Sequence, residues 1–375
     1  MQFVLLYQKL FNRNSLYQKI KFKGFNMTTE IFSSQNSDNI HNIESEIKKE
    51  EHIPQTQENL PSENLEDKRK EVEEINAEVQ QLQAKKEKLQ QEIDEESIKG
   101  EQKNNPIIDL SSKKWQAEYE AVVGLKHRKP LPPNPGQDAA YARADEQFSV
   151  VISADGAGSS IVSDIGSQRV VAGVYRLVHT LYNSQFKALD EEKALIEDDI
   201  RRWALILTKH AKGILDDLAL EYRRDAKDFR CTLLVGLVGK LHTFWFKIGD
   251  GAIVKEVISV NEKNESAYQL SMVGEVGKGE YANETIFISE QLEPKNVQYG
   301  SFANTNLTAL FTMSDGAAGR CVSNDGKQVT PYLTVLAEEL RKGDLKRYHL
   351  TKLFYSEAFL EGHDGDDCSI ALIAR

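Results

Sequence analysis

Cysteine is scarce in this chain. Cys231, Cys321 and Cys368 are its three thiols, each in or beside an apolar run and none in a CxxC spacing. An odd, scattered set excludes a disulfide framework and a cysteine zinc site, and it fits a reducing, cytoplasmic compartment. Long apolar runs are also missing: none approaches the ~18 to 20 residues that cross a bilayer, so the expectation is a soluble protein with no membrane contact. Nor is there a basic surplus, since the formal net charge is −11 and residues 106–375 hold 32 bases against 38 acids. Nucleic-acid affinity draws on lysine and arginine displacing counterions, so no nucleic-acid partner is expected. No GxxxxGK[ST] loop occurs; GEVGKGE lacks the Ser/Thr and the strand-to-helix context, which speaks against nucleotide binding.

What is present is unevenly spread. All three tryptophans and all cysteines lie after residue 114. Residues 1–26 carry five bases and no acid, with a brief apolar start but neither a preceding basic residue nor a small-residue cleavage site, which is a poor secretory signal. MTTEIFSSQNS begins afresh at Met27, so an over-extended translation start is the expectation for 1–26. Up to residue 59 the chain is Ser, Asn, Gln, Glu and Lys, too polar to offset the entropy of ordering, and disorder is expected. The domain of residues 60–105 reads as a coiled-coil helix and linker. Within 66–98, Val72, Ile75, Val79, Leu82, Leu89 and Ile93 fall at a/d steps with Lys86 at one seam position, which suits a short coiled coil with a partner or with itself; a solvated charged helix fits nearly as well.

The third domain, 106–375, is organised around FSVVISADGAGSS at 148–160, where an apolar strand ends on Asp155. WFKIGDG puts Asp250 after a second apolar run, LFTMSDG puts Asp315 after a third, and HDGDDCSIALIA puts Asp366 and Asp367 before a fourth. In an antiparallel sheet the end of one strand neighbours the start of the next, so acids far apart in sequence can converge, and converged carboxylates call for cations. A plain Asp-Gly hairpin turn fits Asp250 and Gly251 about equally well. Around these sites, helices are expected over 163–182, with Ser163 as N-cap, over 190–223 with Trp203, Leu207, Ile214 and Leu218 on one side, and over 331–342 and 348–361. CTLLVGLV, LHTFWFKI, AIVKEVIS, AYQLSMV, TIFIS, LTALFTMS and the final apolar run read as strands. Runs of strands with helices grouped elsewhere predict an α+β sandwich.

SADGAGSS, IGDGAIV, TMSDGAAG and GDDCSIALI, in that order and after GQDAA, resemble the metal-dependent Ser/Thr protein phosphatases of the protein phosphatase 2C family. GEYANETIFIS is similar to a stretch of a bacterial branch of that family. The resemblance spans roughly 115–375 and implies a four-layer αββα sandwich, two antiparallel sheets flanked by helices, with two or three Mn2+ or Mg2+ ions at one edge. Carried over position by position, it implies that Asp155 bridges two ions and that the Gly156 carbonyl binds one of them. Asp315 and Asp366 would bind the other, Asp138 would hold a metal-bound water, and Asp250 would serve a weaker third ion. Many relatives carry His where this chain has Ala157, and the expected phosphate-binding Arg is displaced, with Arg128 as the candidate. His363, beside the last acids, is a candidate to protonate the leaving alkoxide; a polar loop role is the plainer reading.

Two cations held close together lower the pKa of a bridging water and stabilise an in-line displacement at phosphorus, the chemistry a phosphate monoester needs. Hard oxygen ligands favour Mg2+ or Mn2+ over zinc. Cys368 lies inside a strand-like run, which excludes a cysteine phosphatase loop. The expected function is therefore a protein serine/threonine phosphatase acting on phosphoserine and phosphothreonine proteins. The alternatives are a catalytically silent relative that binds partners and, behind it, a two-metal nuclease.

Overall fold

The structure, a computed structural model, describes residue 110 and residues 113–260, 266–276 and 285–375. The expectations for the translation start, the disorder up to 59 and the coiled coil at 66–98 lie outside the described residues. Among the described residues, ten strands form two five-stranded sheets in which all neighbours are antiparallel. The first contains β1 (Gln116–Val122), β10 (Cys368–Ala374), β9 (Leu307–Met313), β6 (Ala252–Val260) and β7 (Ser266–Val273), in that order. The second contains β2 (Asp138–Ala144), β3 (Ser149–Asp155), β4 (Leu233–Val238), β5 (His242–Ile248) and β8 (Gln298–Ala303). With helices on both outer faces this is the expected αββα sandwich.

Successive side chains of a strand point to opposite faces, so a strand with both faces covered reads as an unbroken apolar run. In β3, Val150, Ile152 and Ala154 pack outward with Val170, Val174 and Trp203, while Val151 packs between the sheets with Leu234 and Leu310. In β10, Ile370 and Leu372 face outward to Leu336 and Leu350, while Ala371 and Ile373 face inward. The inner layer also carries one polar tie, Ser153 Oγ to Thr312 Oγ1 at 2.8 Å, which joins the two sheets.

The outer face of the second sheet is covered by α2 (Ser163–Leu181) and α3 (Glu197–Tyr222), that of the first by α5 (Tyr332–Arg341) and α6 (Arg347–Phe354). Shorter helices are α1 (Leu125–Arg128), α4 (Asp315–Cys321) and α7 (Glu357–Leu360).

Several expectations shift. Val162, not Ser163, is the N-cap of α2; the Ser163 hydroxyl instead donates to the Ala157 carbonyl at 3.1 Å. The helix expected from 190 begins at Glu197, because the chain first closes a 3-10 turn over Lys187–Asp190. The helix expected over 348–361 is broken at Tyr355, and Ser356 caps the short turn that follows. TIFIS forms no strand; the Ile288 N–H reaches the Cys231 carbonyl at 2.8 Å, with no strand ladder around it. Asp250 and Gly251 do not make a hairpin, since β5 and β6 belong to different sheets and the chain crosses between them there. Gly249, at φ +108°, supplies the backbone turn for that crossing.

Candidate metal centre

The acids come from strand ends on both sheets. Asp138 opens β2 and lies opposite Asp155, which closes β3. Asp250 sits on the crossing from β5 to β6, Asp315 follows β9 as the first residue of α4, and Asp366 and Asp367 lead into β10. Asp155, Asp250 and Asp315 each offer a carboxylate oxygen, and these oxygens lie within 4.8 Å of one another. Chain segments far apart in sequence thus meet at one end of the sandwich.

The backbone fixes each of them. The Asp155 N–H donates to Thr232 Oγ1 at 2.8 Å, and the Gly156 N–H donates to the Gln137 carbonyl at 3.1 Å. Asp250 accepts from Thr285 Oγ1 at 2.6 Å through Oδ2, while its buried Oδ1 has no partner. Asp315 accepts from the Gly316 N–H at 2.6 Å. Both carboxylate oxygens of Asp138 are buried and likewise lack a hydrogen-bond partner.

Such crowding holds protons on the acids. Burial pushes Asp138 up to about 8, with the Ser314 hydroxyl offsetting part of the effect. Asp155 lies well above the usual carboxylate range, first from burial and then from the charge of Asp138. Protein packed around the Asp315 carboxylate, with the charge of Asp250 in second place, pushes it up to about 6. Like-charged carboxylates in one site resist ionising together, and a divalent ion reverses that cost. The buried oxygens without partners and the all-oxygen donor set fit hard cations such as Mg2+ or Mn2+.

Asp366 and Asp367, adjacent in sequence, part company in space. Asp367 is 3% exposed and accepts from the Gly124 and Gln137 N–H groups, both at 2.6 Å, and pairs with His127 Nδ1 at 3.0 Å. It therefore ties the two ends of the loop between β1 and β2 to the start of β10. Asp366 stays open beside the acids, where its charge adds to the raised pKa of Asp315, and Oδ2 pairs with Lys126 Nζ at 3.2 Å. Gly124 admits this contact because a Cβ there would stand 2.2 Å from the Asp366 backbone.

Arg128 is held elsewhere. Its guanidinium lies 4.4 Å from the centre of the Tyr355 ring and donates to the Tyr355 hydroxyl. His363 has both ring nitrogens engaged: Nδ1 accepts from the Gly365 N–H at 2.9 Å, and Nε2 lies 3.1 Å from the Gly316 carbonyl. In this arrangement His363 keeps no nitrogen for a substrate and serves the loop. Sequence reasoning named Asp367 beside Asp366 without giving it a task of its own, and passed over His127. Their only local signal was the basic run from Lys126 to Lys129 and the doubled aspartate, and the partners lie about 240 residues apart.

A family model described as Protein phosphatase 2C matches residues 124–353, more than half of the chain. Among curated proteins none matches. Solved structures similar to this one include the serine/threonine phosphatase Stp1 of Staphylococcus aureus, at 15% identity over 72% of this chain and 96% of that one, with a TM-score of 0.43. The Mycobacterium tuberculosis serine/threonine phosphatase PstP/Ppp is 13% identical over 70% of this chain and 98% of that one, with a TM-score of 0.43. The serine/threonine phosphatase of S. agalactiae is 14% identical over 69% and 99%, with a TM-score of 0.44.

Proposed function

We propose, from the premise that this chain belongs to the protein phosphatase 2C family, that it is a metal-dependent serine/threonine phosphatase acting on phosphoproteins. The observation that carries the reading is the meeting of Asp155, Asp250 and Asp315 within 4.8 Å, with a buried Asp250 oxygen left for a ligand. Asp155, Asp315 and Asp366, with the Gly156 carbonyl, would hold two Mn2+ or Mg2+ ions, and Asp250 a third. Ions bound there supply a water of lowered pKa and neutralise charge at the phosphoryl group.

The remaining roles fall to this chain's own side chains. Asp138, opposite Asp155 at the start of β2, would accept a hydrogen bond from the attacking water and orient it. Lys126 Nζ, in the basic run, pairs with Asp366, and its side chain is 58% exposed. An exposed ion pair contributes little stability, so Lys126 can exchange Asp366 for a substrate phosphate. Arg128, engaged by Tyr355, yields that role to Lys126. Three free cysteines suit action in the cytoplasm, and no helix among the described residues is long and apolar enough to cross a membrane.

The test is hydrolysis of p-nitrophenyl phosphate and of phosphoserine peptides by the full chain. Activity is expected with Mn2+ and to be lost with chelator, and Asp315→Asn is expected to lower kcat on the order of a hundredfold or more. Tight phosphopeptide binding without hydrolysis under any divalent ion would support the catalytically silent alternative, for which Ala157 is the motive.

A further inference from the structure

Next to the metal centre, and sharing Asp138 with it, a cleft of about 570 Å3 opens between β1, β2, α2 and the first residue of α6. β1 and β2 are the outermost strands of their sheets, so no further strand fills this side of the sandwich. One wall is a run of three rings: Tyr119 and Tyr141 have centroids 5.2 Å apart, and Tyr141 and Tyr175 4.6 Å, all tilted. Two arginines line the same cleft. Arg347 donates to Glu120 at 2.8 Å and lies over the Tyr119 ring at 5.2 Å. Arg176, on α2, is exposed and has no partner among the described residues.

The charge balance favours an anion. Glu120 is already answered by Arg347, by the Thr351 hydroxyl and by the Ala121 N–H. Asp138, the other acid of the lining, is 7% exposed. Arg176 is left as an unanswered positive charge beside aromatic walls, in a volume within the range of small-molecule sites. Ring faces and edges recognise a planar ring, and a guanidinium recognises a carboxylate in forked geometry.

We propose that this cleft is a binding site for a small aromatic acid, a single planar ring bearing a carboxylate, with the ring against Tyr141 and Tyr175 and the carboxylate on Arg176 and Arg347. Val123 and Gly136 also line it. They adjoin Gly124 and Gln137, whose N–H groups hold Asp367, so the bound acid rests against both ends of the loop that carries Lys126. The inference does not depend on the phosphatase reading, because binding needs neither metal nor turnover.

Calorimetric titration of the metal-free full chain with 4-hydroxyphenylacetate tests it, with cyclohexylacetate as the ring-saturated control and acetate as the ringless one. Saturable one-site binding is expected for the aromatic acid, weakened about tenfold by loss of the π ring or by Arg176→Ala. Tyr175→Leu, which keeps bulk but removes the ring, is expected to act in the same direction. Arg169→Ala, on the same helix but outside the cleft, is expected to leave binding unchanged. No saturable binding up to about 10 mM ligand, the weak end of measurable affinity, would overturn the proposal. So would equal affinity in wild type and Arg176→Ala, or cyclohexylacetate binding as tightly as the aromatic acid.

Discussion

Asp138 shows at the scale of one residue what the fold asks of its acids. Its carboxylate has an ordinary value of 3.8 in the open chain and about 8 in the folded one, because burial penalises the charged form. Between those values the folded state holds a proton that the unfolded state has released, so folding loses stability as pH rises through this window. For metal-free protein, denaturant midpoints are expected to fall from about pH 4 towards pH 8, with a slope of up to ~1.4 kcal/mol per pH unit per proton. Asp138→Asn should make that slope shallower, the raised Asp155 and Asp315 keeping the rest of it; an unchanged slope would remove the assigned cause. Divalent ions must displace the same protons, so their apparent affinity should climb with pH. A second residue-scale consequence comes from Ala157, 1% exposed, and from His363 with both nitrogens engaged. Without a side-chain acid for the leaving group, the rate should fall steeply from p-nitrophenyl to phenyl phosphate, whereas a positioned acid would flatten the series.

At the scale of elements, the site depends on how closely strand ends approach. The loop between β1 and β2 closes on β10 through Gly124, where even a methyl group would collide with the Asp366 backbone at 2.2 Å. Gly124→Ala is therefore expected to cut Mn2+-dependent turnover at least about tenfold by displacing Asp366, with a smaller effect on the thermal midpoint, because misplacing reacting groups by about an ångström is costly to rate. Equal activity in the variant would show that this contact does not set the site. Away from the acids, Glu256 of β6 is fully buried and pairs with Arg341 of α5, while Thr308 Oγ1 also donates to it at 2.8 Å. This pair fastens α5 to the first sheet. Arg341→Ala should destabilise the chain by about 3 to 5 kcal/mol, since it leaves a buried carboxylate without its cation. Urea denaturation reads that directly, and a loss under about 1 kcal/mol would mean that the pair is solvated in solution.

For the whole molecule, legibility in the sequence followed burial for most strands, the largely exposed β7, read from AYQLSMV, being the exception. β3, β4, β9 and β10 were plain because both of their faces are covered and, Asp155 at the end of β3 apart, their residues are apolar or small. β1, β2 and β8 escaped notice because QAEYEAV, DAAYARA and QYGSFA are half-buried, rich in Ala or polar residues, and lack the β-branched run that marks a strand. The acids could be read as a set because each stood at the end of an apolar run. How Asp366 and Asp367 divide their tasks could not, because Gly124, His127 and Gln137 reach them only through the tertiary fold. The crossing at Asp250 was equally hidden, since Asp-Gly between two strands looks the same whether the strands pair or part.

The central claim is that strand ends from both sheets gather aspartates around divalent ions, and calorimetric titration of the full chain with Mn2+ tests it most directly. At least two ions should bind per chain in wild type. Asp155→Asn should abolish the tight sites while leaving the fold's circular dichroism intact. Unaltered stoichiometry and affinity in Asp155→Asn, or no Mn2+ binding by the folded wild-type chain, would contradict the account.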